Sequence, residues 1–360
     1  MHRSVRAGLR WALATLLCIP WGVNPHGTAR AQNRTSPTET TRAIPARNIP
    51  VPATVSPELA RIIARTPMHP TAPRTAQDWK AAVQAAATMD LQRITAVRKQ
   101  FAVTVEPLRV AGVPCFMITP VRLSDRNRHR LLMHLHGGGY VFGPGESGTL
   151  EGIIMAGFSG MKVLSVDYRM PPEHPYPAAM DDATAVWKAL TQREQPANMA
   201  VFGTSTGGGM TLALVQRARE EKLPLPAAIA PGTPWSDLTK TGDSYFVNEG
   251  VDNALVAYEP LLSASARLYA GAVDLEDPHL SPVYGSFSGF PPTLLTTGTR
   301  DLFLSNTVRV HRKLREAGVD ARLEVYEGQS HAQYLVDPTA PESREAFEDI
   351  AGFFDAHLGT

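Results

Sequence analysis

Gly203-Thr204-Ser205-Thr206-Gly207 sets a serine between two glycines in G-x-S-x-G spacing. That spacing fits a strand-to-helix turn too tight for a side chain at either glycine, and it lifts the serine hydroxyl clear of the backbone. A hydroxyl so presented can attack a carbonyl carbon if a base takes its proton and donors meet the charge developing on the carbonyl oxygen. Upstream, His136-Gly137-Gly138-Gly139-Tyr140 offers bare backbone N–H groups for that charge. The donors expected are Gly138, Gly139 and Thr206, each such donor typically worth about 3 kcal/mol in the transition state. Downstream, two short apolar runs end in Gly298-Thr299-Arg300-Asp301 and in Glu327-Gly328-Gln329-Ser330-His331. His331 is the expected general base and Asp301 the group that fixes its tautomer. Glu327 is a fallback acid. These are the parts of an acyl-transfer site built on a serine.

Other readings of the same residues fit less well. Residues 143–148 formally match G-x-G-x-x-G with Asp167 further on, as in a dinucleotide site. The first glycine, however, comes late after the preceding strand, and Pro144 removes a donor that a pyrophosphate needs. His134 and His136 could pair on a metal, but triple glycine supplies no third ligand, so no metal is expected. His134 reads as a satisfied core histidine. His174, His279 and His311 fall in proline-flanked loops or mid-helix, and Asp167 and Asp182 read as loop-holding or helix-capping groups.

The elements needed to position Ser205, Asp301 and His331 are legible as texture. Apolar runs at 131–136, 162–168, 199–205, 227–230, 293–297 and 321–326 read as buried strands, preceded by a hairpin from residue 103 whose arms flank Ala111-Gly112. Helical patterns lie between them at about 147–158, 181–193, 206–222, 305–317 and 343–357. Strands alternating with crossover helices imply an α/β fold with a mostly parallel sheet covered on both faces, and ligands beyond the carboxyl ends of its strands. Residues 57–102 read as N-terminal helices, with Trp79, Ala82, Val83, Ala86, Met89, Leu91 and Ile94 at helical spacing. The interval of about 236–290, with a helix at 254–270, interrupts the rhythm. Both segments read as a cap over the site, on a catalytic domain of 103–360.

Composition removes other classes. With 35 basic and 34 acidic side chains spread along 360 residues, no basic tract suggests nucleic acid. Arg3, Arg6 and Arg10 precede an apolar run at 11–23, and Ala29-Arg30-Ala31 comes after it, the order of a cleaved secretory signal over residues 1–31. The run is well short of the roughly 20 residues of a spanning helix, so no stable membrane anchor is expected, and the site of action is the periplasm or outside the cell. Cleavage removes four arginines and no acid, taking the net charge from +1 to −3. It also removes Cys18 and leaves Cys115 without an internal partner, so stability rests on packing. Residues 32–56 read as a flexible leader.

Taken together, the chain resembles the bacterial hormone-sensitive-lipase-like (family IV) carboxylesterases over about residues 103–358. The resemblance rests on His136-Gly137-Gly138-Gly139, on Asp167-Tyr168-Arg169 with Pro172-Glu173-His174-Pro175-Tyr176-Pro177-Ala178-Ala179 and Asp181-Asp182, and on Ser205, Asp301 and His331 in that order. Many members carry Asp and Ala beside the serine where this chain has Thr204 and Thr206, which resembles a subgroup with a Thr-Ser elbow. The resemblance implies the α/β-hydrolase fold with an eight-stranded sheet, a small helical cap, short acyl esters as small-molecule substrates, no cofactor and frequent homodimers. Lactonase or amidase action, or a non-catalytic ligand-binding relative, are the alternatives on the same scaffold.

Overall fold

The computed structural model describes residues 42–359 except 68 and 70, so the signal expected at 1–31 lies outside the described residues. Residues 42–48 belong to a separate N-terminal unit, Met1–Asn48, and are exposed without regular secondary structure. The helices and strands of the described residues all lie in the second unit, Ile49–Thr360.

One sheet of eight strands organises this unit: β1 (Val103–Val110), β2 (Val113–Pro120), β3 (Leu131–Leu135), β4 (Lys162–Val166), β5 (Met199–Thr204), β6 (Ala228–Gly232), β7 (Thr293–Gly298) and β8 (Ala321–Tyr326). Their order is β1-β2-β4-β3-β5-β6-β7-β8. β2 is antiparallel to β1 and β4, and every pairing from β4 to β8 is parallel. The β1–β2 hairpin turns at Ala111 and Gly112, both at positive φ (50° and 82°), as a two-residue connection requires.

β3, β5, β6 and β7 are buried along their whole length, which is why they read as unbroken apolar runs rather than alternating ones. Alternate residues nevertheless separate onto two faces. Met133, Leu135, Val201 and Ile229 enter one apolar cluster with the helices α4 (Ala178–Leu190), α5 (Thr206–Glu220) and α8 (Leu304–Glu316). Leu132, Ala200, Phe202 and Ala230 enter the other, with α2 (Ala76–Phe101), α3 (Leu150–Ser159) and α9 (Pro341–His357).

Differences from the sequence reading have local causes. The N-terminal segment forms α1 (Pro57–Ile63) and one long helix, α2, opened by a Thr75/Asp78 capping box and closed at Ala102 in the left-handed region. Its buried stripe runs through Trp79, Ala87, Ile94 and Val97, at intervals of eight, seven and three that return to one helix face; Met89 and Leu91 fall off that stripe and stay exposed. Residues 254–260 are not helical. The inserted segment forms α6 (Ser244–Val247) and α7 (Leu261–Ala270), with Pro260 capping α7. The end of the expected leader is held on the body: Ser56 N and Oγ donate to the Glu342 carboxylate at 2.6 and 2.7 Å, and Arg300 donates to the Pro50 carbonyl at 2.6 Å. Cys115 is a free, buried thiol, which burial pushes up to about 12.

Candidate active site

Four strand ends deliver the site. β5 runs into Ser205, which sits at φ 64°, ψ −121°, a left-handed-side backbone that a non-glycine residue holds only where its surroundings enforce it. The enforcement is visible: Ser205 N donates to the Gly232 carbonyl and Trp235 N donates to the Ser205 carbonyl, both at 2.9 Å. The flanking glycines are required by a close approach. A Cβ at Gly203 would lie 2.0 Å, and one at Gly207 1.8 Å, from the Leu135 carbonyl oxygen at the end of neighbouring β3. The neighbouring strand thus excludes these side chains at least as strictly as the helix after the turn.

His331, after β8, and Asp301, after β7, are brought together as the sequence reading requires. His331 Nδ1 lies 3.1 Å from Asp301 Oδ1 and 2.9 Å from the Thr233 hydroxyl. Asp301 is wholly buried and accepts from the Thr297 hydroxyl at 2.8 Å, the Phe303 N–H at 2.7 Å and the Thr233 hydroxyl. Four donors thus converge on one carboxylate, which fixes its position and aims it at the ring. With Nδ1 donating to Asp301, Nε2 carries the lone pair. That atom is buried and has no hydrogen-bond partner among the described residues.

The expected glycine donors to the oxyanion follow β3 and line the same cavity as Ser205 and His331. Gly138 and Gly139 have φ of 113° and 63°, and a Cβ on Gly138 would lie 2.3 Å from the Phe142 carbonyl oxygen. Thr206 is fully buried at the start of α5, so the group it can offer an oxyanion is its backbone N–H. His136 stacks on Tyr168 with ring centroids 4.1 Å apart, and its Nδ1 lies 2.7 Å from the Gly137 carbonyl. Burial pulls its pKa down to about 4, so the ring props the glycine loop as a neutral group. Ser205, His331, Gly138 and Gly139 share a cavity of about 350 Å³. Both cap segments contribute to it: Asp90 from α2, and Leu255, Leu261 and Leu262 from the insertion.

Residues set aside in the sequence reading behave as structural groups. Asp167 accepts from the Gly145 N–H at 2.8 Å, and Asp182 pairs with the Arg169 guanidinium at 2.8 Å. His134 is buried between Ser165 at 2.9 Å and Glu151 at 3.2 Å. Glu327, the fallback acid, is not among the partners of His331; Asp301 is.

Three participants were not found from the sequence. Thr233 bridges both Asp301 and His331 from the loop after β6. Glu151 accepts from the Thr204 N–H at 3.1 Å and its hydroxyl at 2.6 Å, so a carboxylate from α3 stands beside the elbow. Asp252 binds the backbone of the triad loops. Of these, only Glu151 had a signal, a lone acid in the apolar helix Leu150–Ser159.

A family profile described as "alpha/beta hydrolase fold" matches residues 132–335. An "Esterase" of Acinetobacter venetianus is 30% identical over 252 residues, covering 70% of this chain and 82% of that protein. An "Acetyl-hydrolase" of Streptomyces hygroscopicus is 31% identical over 230 residues, covering 64% and 76%. Among solved structures, an esterase named E25 superposes with a TM-score of 0.85 at 44% identity, covering 89% of this chain and 99% of that one. An esterase described as from the bacterial hormone-sensitive lipase family gives 0.72 at 30% identity, covering 84% and 99%.

Proposed function

This chain belongs to the alpha/beta-hydrolase family, among the bacterial hormone-sensitive-lipase-like esterases, and is a carboxylic ester hydrolase; from that premise we propose that it works through an acyl-enzyme on Ser205 and acts on esters of short acyl chains. The observation that carries the mechanism is the pairing of a His331 Nδ1 fixed by Asp301 with a buried, unpartnered Nε2 on the cavity that holds Ser205. Nε2 takes the proton as Ser205 Oγ attacks the ester carbonyl, and Asp301 stabilises the imidazolium. The N–H groups of Gly138, Gly139 and Thr206 meet the oxyanion. His331 then returns the proton to the leaving alcohol, and water repeats the sequence in reverse to free the acid. A serine-directed fluorophosphonate tests this reading: the label belongs on Ser205 and on no residue of a Ser205→Ala variant. Labelling elsewhere, with hydrolysis intact in the variant, would remove Ser205 from the mechanism.

The chain-length preference rests on the cavity. At about 350 Å³ it lies near the small end of ligand pockets, and its apolar wall includes Phe142, Leu150, Leu255, Leu262 and Leu335. Each methylene gains roughly 0.8 kcal/mol only while such a wall remains to receive it. The acetyl group in the name of the Streptomyces hygroscopicus relative agrees with a small acyl site. Across p-nitrophenyl esters from acetate to palmitate, kcat/KM is expected to peak at about two to six carbons and not to jump when a mid-length substrate forms droplets. A maximum at long chains, or interfacial activation, would make the enzyme a true lipase; faster turnover of lactones or anilides would replace the ester as substrate.

Export belongs to the same proposal and rests on residues 1–31 alone, with their charged head, short apolar run and Ala29-Arg30-Ala31. Expressed in a bacterial host with its own leader, the protein is expected in the periplasm or medium with a mass starting at Gln32. An intact N-terminus in the cytoplasmic fraction would sink the proposal.

A further inference from the structure

Asp252 lies in the inserted segment between β6 and β7, before α7, and its side chain is wholly buried. Its two carboxylate oxygens do different things. Oδ1 accepts from Ala254 N at 2.8 Å and Leu255 N at 3.0 Å, bonds that only shape the local turn. Oδ2 accepts from Leu302 N at 2.8 Å and from His331 N at 3.2 Å, residues distant in sequence from it and from each other. One of these donors is the peptide N–H of the histidine; the other belongs to the residue after Asp301. A single oxygen therefore ties the loop carrying the triad acid to the loop carrying the triad base, at the triad itself.

The neighbouring residues extend the tie. Asn248 donates to the Asp301 carbonyl at 2.8 Å, Asn253 N donates to the Ser330 hydroxyl at 3.1 Å, and the Asn253 carboxamide donates to the Ile62 carbonyl of α1 at 2.8 Å. Leu255, at the end of the Asp252 turn, forms part of the cavity wall. The inserted segment that roofs the cavity is thus hydrogen-bonded to the backbone whose spacing sets the His331–Asp301 contact. Burial, then the like charge of Asp301, push the Asp252 carboxyl above the usual range, while His331 pulls it back. A carboxylate kept in such surroundings costs stability unless donors compensate, and four N–H groups do.

Resting on the Ser205–His331–Asp301 reading, we infer that Asp252 is a positioning residue for catalysis, holding the acid and base loops in register through Oδ2 and coupling them to the cap. It touches neither the substrate cavity nor the imidazole ring.

The discriminating variant is Asp252→Asn, which keeps Oδ1 for the local turn and sets an amide against Leu302 N and His331 N. The expected result is a fall in kcat on the order of 10- to 100-fold, the scale of a catalytic group displaced by an ångström, with KM within about twofold. The acid limb of the kcat/KM profile moves to lower pH, because of the two carboxylates that face His331, Asp301 and Asp252, one has lost its charge. Asp252→Ser, whose hydroxyl can also serve the turn, is the second variant, and circular dichroism establishes that each is folded before its kinetics are read. A folded variant with kcat within twofold of wild type, or with an unshifted acid limb, overturns the inference. So does failure of both variants to fold, which assigns Asp252 to the architecture alone. Fluorophosphonate labelling of the wild type separates the two failures: no label on Ser205 defeats the underlying mechanism, whereas a labelled Ser205 with unaffected Asp252 variants defeats only the role of Asp252.

Discussion

Ser205→Ala and His331→Ala are each expected to lower kcat for a simple aryl ester by roughly 10⁴-fold or more, with little change in KM, because nucleophile and base act as a unit and either loss abolishes the acyl-enzyme route. Asp301→Asn is expected to come close to the same loss although it adds no bulk. The present carboxylate only accepts, from Nδ1, the Thr233 and Thr297 hydroxyls and the Phe303 N–H. A carboxamide must turn an NH₂ toward some of these donors or toward the ring, and the latter choice leaves the proton on Nε2, where it cannot accept from Ser205. The double variant Ser205→Ala/His331→Ala should be scarcely worse than either single one, which separates a cooperating pair from two independent contributions. Steady-state kinetics on p-nitrophenyl acetate, with folding checked by circular dichroism, decides it. Near-wild-type turnover in Ser205→Ala would end the serine mechanism.

Gly207→Ala is expected to destabilise the protein by about 3 kcal/mol or more, whereas Gly352→Ala leaves stability unchanged or raises it slightly. The substitution is the same; the surroundings differ. A Cβ on Gly207 would lie 1.8 Å from the Leu135 carbonyl oxygen, a backbone atom in a fully buried strand that cannot step aside. A Cβ on Gly352, in α9, meets nothing within 4 Å. Relief at Gly207 requires β3 and α5 to separate, which would also displace the glycine loop after β3 and the Ser205 backbone, so activity should fall together with stability. Urea denaturation of the two variants reads the difference directly, and a Gly207→Ala protein as stable and active as wild type would mean that the elbow is looser than its geometry.

Much of the scaffold was legible because its signals are local. An unbroken apolar run bounded by turn residues marks a strand buried on both faces, and Ala111-Gly112 between two β-rich, partly buried runs marks a hairpin, so the parallel sheet, its hairpin and the strand-turn-helix at Ser205 could be read directly. The strand ends were legible to within a residue or two. The cap was less so. Apolar spacing in α2 is loose enough to admit Met89 and Leu91, which only the contact with α3 and the sheet excludes. The helix expected from residue 254 begins instead at Leu261, because Asp252 spends its carboxylate on a turn there and Pro260 opens the helix.

The site divides along the same line. Ser205, Gly138, Gly139, Asp301 and His331 were legible in the sequence itself: the task proposed for each demands one residue type at one place after a strand end, so identity and order carry the signal. Only the tertiary structure decided that β4 stands outside β3, that Glu151 from α3 supplies the carboxylate beside Thr204, and that Thr233 and Asp252 hold the acid and base loops. Those roles are hydrogen bonds between segments far apart in the chain. A threonine or aspartate that makes them is locally identical to one that faces solvent, and it acquires its partner only when the sheet forms and brings distant strand ends together.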